Sequence, residues 1–139
     1  MPLLRTRILY LAALGLTVAL GLFSRAWPLG WHVWDKSLGD ALYAVAVYLV
    51  FRLLLPTFRV SAAGALAVGF CLLIESFKFT GMPASWAGWR LSRLVLGTTP
   101  SWHNVLCYVA GVAMAVLVEA CAKRPWKVFE SGSTSGTRN

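Results

Sequence analysis

Eight side chains in this 139-residue sequence stand out as candidates to bind or react. Arg25, Asp40, Glu75, Lys78, His103 and Asn104 lie inside or at the edges of long apolar runs, and Arg90 and Arg93 lie in the stretch between the last two of these runs. An ionisable residue within a membrane span is a functional hypothesis by default. A carboxylate there could handle a proton or hold a polar ligand, and arginine grips phosphate or carboxylate through paired hydrogen bonds. Each position also has a structural reading. Ser37-x-x-Asp40 has the form of a capping box at the start of a helix. Lys78 follows Glu75 by three residues, the spacing of a helical ion pair. His103 and Asn104 follow Pro100 and Ser101, a good helix start. His103 then reads as an interfacial residue beside Trp102, and Asn104 falls one turn in, at the depth of Asp40.

The chemistry stops short of a reaction. The sequence holds no nucleophile–base spacing, phosphate loop or G-x-S-x-G turn, so a hydrolase mechanism has no specific support and no cofactor is implied. Cys71, Cys107 and Cys121 lie within apolar runs with no C-x-x-C or Cys/His spacing, which argues against a zinc site or a disulfide framework.

The elements that must position these residues follow from composition. Hydrophobic residues make up 58% and charged residues 13%, with a mean hydropathy of +0.68. A soluble domain carries about 25% charged residues. Half that charge cannot cover a water-facing surface, which excludes a soluble enzyme and a disordered chain. Four apolar runs, at about 8–23, 38–55, 60–77 and 102–122, each approach the roughly 17–25 residues that span hydrocarbon as a helix. Backbone groups in lipid must be satisfied internally, so the runs are helices. The fold expected is all-α, a polytopic four-helix membrane bundle over residues 1–128. The Ser/Gly/Thr-rich tail at 129–139 is too polar to bury a core.

The first run, with Arg5 and Arg7 before it and no small-residue cleavage site after it, reads as a retained signal anchor. The net charge of +8 belongs to loops flanking the runs. There it sets topology and meets headgroups and does not bind nucleic acid. With the N-terminus inside, Arg5, Arg7, Arg52, Arg59, Lys123, Arg124, Lys127 and Arg138 face the cytoplasm. Arg25, Lys36, Lys78, Arg90 and Arg93 then face outward. The larger inner share favours two cytoplasmic termini. Glu119 precedes Lys123 by four, the favourable order for a helical pair at the inner boundary.

The second outer loop contains a two-faced stretch at 86–96. Trp86, Trp89, Arg90 and Arg93 fall within one arc of roughly 100°, and Ala87, Leu91, Leu94 and Val95 lie on another face. Eleven residues rise only about 16 Å as a helix, too little to cross a bilayer. A short interfacial helix over the outer mouth of the bundle is expected. Small residues at i, i+4 (Gly15 and Ala19, Ala65 and Gly69, Gly111 and Ala115) permit close helix approach within the bundle or to a second copy.

An ordered set of segments resembles a known family. It comprises Gly21-Leu22-Phe23-Ser24-Arg25, Leu38-Gly39-Asp40-Ala41-Leu42-Tyr43-Ala44, Glu75 near a helix end, Leu94-Val95-Leu96-Gly97, and Trp102-His103-Asn104-Val105-Leu106-Cys107-Tyr108-Val109-Ala110-Gly111. The order resembles the DUF2809 family of small bacterial integral membrane proteins of unknown function, and is distantly similar to VanZ-like proteins. The resemblance implies a multi-pass protein of the bacterial inner membrane. Against the family pattern, Lys78 stands where glutamine is usual and Asn104 where aspartate is usual.

Two functions fit these residues. In one, a polar vestibule facing outward binds an anionic lipid or other envelope component. Arg25, Arg90 and Arg93 would hold the anion, and Asp40, Glu75 and Asn104 would shape the site. In the other, the chain is an accessory or scaffold subunit of a larger membrane complex with no ligand of its own. A coupled carrier is less well supported, because four short helices contain no inverted repeat or broken helix.

Overall fold

A computed structural model of the chain describes residues 2–27, 30–80 and 101–123. They form four helices: α1 at Pro2–Ala26, α2 at His32–Leu54, α3 at Val60–Phe79 and α4 at Trp102–Lys123. Every one is long and apolar enough to cross a membrane. The interfacial helix expected at 86–96, with Arg90 and Arg93, and the tail at 129–139 lie outside the described residues.

The helix ends have local causes. Pro2 stands in the first turn of α1, where its missing N–H costs nothing. Leu55 precedes Pro56 and is driven out of the helical region, to φ −123° and ψ 64°; its N–H still closes on Phe51 O at 2.8 Å. Gly30, at φ +86°, takes the left-handed backbone in the turn before α2. At the head of α4 the Ser101 hydroxyl accepts the His103 N–H at 3.3 Å, the N-cap bond expected of a serine there.

One expectation fails at α2. The helix starts at His32, with Trp31 at the cap position and no side-chain cap bond. Ser37 and Asp40 therefore stand in its second and third turns and form no capping box. A hydropathy reading stops at the charged pair Asp35 and Lys36. The helix continues through them because nothing there breaks it, and Asp35 in the first turn suits the positive end of the dipole. Arg5 and Arg7 delay the reading of α1 in the same way.

The bundle is built around α2, which packs against the other three helices, while α3 also packs on α4. Asp40, Ala44, Tyr48 and Arg52 are buried along α2 at a repeat of four, one stripe of a helix with 3.6 residues per turn. On α3 the buried stripe is Ala63, Ala67, Cys71, Glu75 and Lys78, and on α4 it is Asn104, Tyr108, Gly111 and Val112. Small residues dominate the middle of the stack, so the backbones approach closely. A Cβ on Gly111 would clash with the Ala41 carbonyl oxygen. Any larger residue there forces α2 and α4 apart. Gly15 and Gly69 have nothing within 4 Å of that position; their small-residue pairs are on outward faces.

Those outward faces are strongly apolar. Leu16, Leu73, Met114, Leu117 and Val118 are each more than 60% exposed. In water a surface of this extent is untenable for a monomer; against lipid it is the expected exterior. The chain is a multi-pass membrane protein.

Candidate functional site

Antiparallel connection brings the C-terminal ends of α1 and α3 beside the N-terminal ends of α2 and α4. Arg25, Asp40, Glu75, Lys78, His103 and Asn104 all come from these ends, so six of the eight sequence candidates gather at one end of the bundle. The other two, Arg90 and Arg93, lie outside the described residues.

Glu75 is the deepest of the six, 2% exposed. It stands near the C-terminus of α3, where the helix dipole opposes a carboxylate. The start of α4 offsets that. The Ser101 N–H donates to Oε1 at 2.9 Å and the Asn104 amide to the same oxygen at 3.3 Å. Oε2 accepts from Lys78 Nζ at 2.8 Å and from the Tyr108 hydroxyl at 3.2 Å. Lys78 also approaches the Tyr108 oxygen at 3.4 Å. Four donors occupy a group with about four acceptor positions. Glu75 thus ties α3 to α4, and its partner is the i+3 lysine anticipated from the sequence. Tyr108 and the Ser101 backbone were not anticipated, since nothing local in sequence ties either to Glu75.

Asp40 is less completely satisfied. It is 8% exposed, and the Arg25 guanidinium stands 4.0 Å from Oδ1, at the limit of an ion pair. Its Oδ2 is buried without a hydrogen-bond partner among the described residues. A buried carboxylate oxygen left without a donor is costly. The Arg25 side chain is 38% exposed, and as a cation in the last turn of α1 it is favourably placed in that helix's dipole. Ser37 Oγ and His103 Nε2 share a hydrogen bond of 2.6 Å, which joins α2 to α4 at the rim.

The opposite end carries a second polar cluster that the sequence reading did not assemble. Glu119 pairs with Lys123 at 2.6 Å, as the i+4 spacing suggests. It also takes Arg52 in bidentate fashion, Nε at 3.1 Å and Nη2 at 2.5 Å. The hydroxyls of Tyr10 and Tyr48 donate to it at 2.8 and 2.5 Å. Arg52 itself is 1% exposed. It spends its other donors on the Phe58 carbonyl, at 2.8 Å, and the Tyr10 hydroxyl, at 3.1 Å, and lies over the Tyr10 ring. The Arg52 side chain turns into the bundle, because the α2 stripe from Asp40 carries it inward. Three helices, α1, α2 and α4, meet on one carboxylate.

No group of three or more His, Cys, Asp or Glu side chains is arranged to hold a metal among the described residues. The two ends differ chemically. At the Glu119 end every polar group named is engaged by another. At the Asp40 end a carboxylate oxygen awaits a donor beside a half-exposed guanidinium.

No curated protein and no solved structure matches the chain. A family model described as "Protein of unknown function (DUF2809)" matches residues 29–112. That stretch carries α2, α3 and the first half of α4, with Asp40, Glu75, Lys78, His103 and Asn104, and the chain belongs to this family.

Proposed function

We propose that the protein binds an anionic, amphiphilic envelope component, a lipid headgroup in chemical class, at the polar end formed by Arg25, Asp40, His103 and Asn104. The observation that carries this reading is the Arg25–Asp40 pair. An arginine side chain 38% exposed stands beside a buried carboxylate whose Oδ2 lacks a donor among the described residues. A phosphate would take the guanidinium, and a ligand hydroxyl would supply the donor. Arg90 and Arg93 would add positive charge from the following loop. Glu75 and Lys78, already engaged with each other, would hold the wall of the site.

Purification of the full chain in mild detergent, followed by lipid mass spectrometry, tests the reading. Anionic phospholipid should be retained, and Arg25→Gln should lose it. Retention of zwitterionic and anionic lipid in membrane proportion would contradict the reading. The rival, an accessory subunit without a ligand, draws on the outward-facing Gly15 and Gly69, which have open space around them. A stoichiometric partner protein in the same preparation, with no retained lipid, would establish that rival.

The location belongs to the same proposal: a bacterial inner membrane, with both termini in the cytoplasm and the polar end outward. Removing the buried, paired Arg52 and Lys78 from the charge comparison leaves seven basic residues inside and four outside, and the asymmetry still favours this orientation. Single cysteines placed at Gly30 and Gly132, in a background lacking Cys71, Cys107 and Cys121, check it. An impermeant thiol reagent should label position 30 in intact cells and leave position 132 unlabelled. The reverse pattern would move the site to the cytoplasmic face.

A further inference from the structure

A half-open apolar slot of about 650 Å³ runs between α1 and α2. Val18 and Leu22 line it from α1, Ala46 and Val50 from α2, and Phe70 of α3 closes one side. One end is marked by Arg25 and Gly39, the other by Leu14 and Leu54. The α2 wall from Gly39 to Leu54 rises about 22 Å. One leaflet of a bilayer is about 15 Å of hydrocarbon, so the slot is long enough for a complete acyl chain. That length and the apolar walls suit an extended hydrocarbon chain.

Its mouth is polar in a specific way. Among the described residues, the only charged side chain on its lining is Arg25. Gly39 lies against that side chain, 3.5 Å from Nε at its Cβ position, and the next residue is Asp40, with Oδ2 buried and in want of a donor. A cation at the head of an apolar slot complements a phosphate joined to an acyl chain, and Asp40 complements a hydroxyl on the same headgroup.

We propose that the slot holds one acyl chain of an anionic membrane phospholipid with a hydroxylated headgroup. The phosphate lies on Arg25 and the headgroup hydroxyl donates to Asp40. This rests on the ligand reading above and adds to it the chain site and the headgroup chemistry.

The test uses the full chain in phosphatidylcholine vesicles containing a few mole per cent of a lipid with a photoactivatable diazirine in its acyl chain. The probe is phosphatidylglycerol in one arm and phosphatidylcholine in the other. Cross-links from the glycerol probe should concentrate on the slot walls and be sparse at Leu73 and Leu117, which are 67% and 64% exposed on other faces. Ala46→Phe, which fills the slot from α2, should cut slot labelling about fivefold or more and leave labelling at Leu73 unchanged. Val18→Trp fills it from the other wall, at a position already 45% exposed, and should do the same should Ala46→Phe fail to fold. Arg25→Gln and Asp40→Asn should remove the preference for the glycerol probe.

Even labelling of all outward faces would overturn the proposal. If both slot-filling variants leave labelling unchanged while Arg25→Gln abolishes the preference, the chain site is wrong and the headgroup reading survives. If the slot labels specifically but both probes label it equally, the headgroup reading is wrong and the anionic assignment falls with it.

Discussion

Glu75→Ala is expected to destabilise the bundle by about 3–5 kcal/mol, the cost of breaking a buried ion pair from one side. The substitution leaves the Lys78 ammonium, 5% exposed, without its carboxylate. It also removes the acceptor for the Ser101 N–H, the Asn104 amide and the Tyr108 hydroxyl. Replacing both partners, as in Glu75→Leu with Lys78→Met, should recover the part of the loss that comes from the stranded charge, and not the part from the donors of Ser101, Asn104 and Tyr108. The midpoint of unfolding in mixed detergent micelles reads both variants. A loss under about 1 kcal/mol for Glu75→Ala would mean that this network does not join α3 to α4.

The Glu119 cluster should respond as strongly but with a different signature. Glu119→Ala removes one acceptor shared by Arg52, Tyr10, Tyr48 and Lys123, and leaves Arg52 buried without a carboxylate. A loss of about 3–5 kcal/mol is expected. Arg52→Lys separates charge from geometry. Lysine keeps the charge but cannot make the bidentate contact or reach the Phe58 carbonyl at the same time, so it should still cost about 2 kcal/mol, the worth of a hydrogen bond to a charged group. An Arg52→Lys variant as stable as the parent would show that only the charge matters. Neither Glu119→Ala nor Arg52→Lys, once refolded at lower temperature, should change lipid retention, since they lie at the opposite end from Arg25 and Asp40.

Much of the architecture was legible because lipid imposes a simple rule: an apolar run of sufficient length must be a helix. The starts of α1 and α2 were not, because Arg5, Arg7, Asp35 and Lys36 interrupt hydropathy without interrupting the helix. Lys78 was legible as the partner of Glu75 from a spacing of three, and Lys123 as a partner of Glu119 from a spacing of four. Arg52 and Glu119 are separated by 67 residues, and Tyr10 and Glu119 by 109; no local spacing encodes such pairs. A trace of the first was present in the repeat Asp40, Ala44, Tyr48, Arg52, which puts an arginine on the same stripe as a small core residue. Asp40 reads from the sequence as a capping carboxylate or a site residue; it is buried in the third turn of α2 and forms no cap. The slot between α1 and α2 left no sequence signal, because the residues that line it look like any lipid-facing surface.

The Asp40 end is proposed to take an anionic lipid and the Glu119 end to serve the fold. Native mass spectrometry of the full chain, titrated separately with phosphatidylglycerol and phosphatidylcholine, measures it most directly. A saturable single adduct with phosphatidylglycerol is expected, about tenfold weaker in Arg25→Gln and unchanged in Arg52→Lys. Equal adducts with both lipids, insensitive to Arg25→Gln, would contradict it.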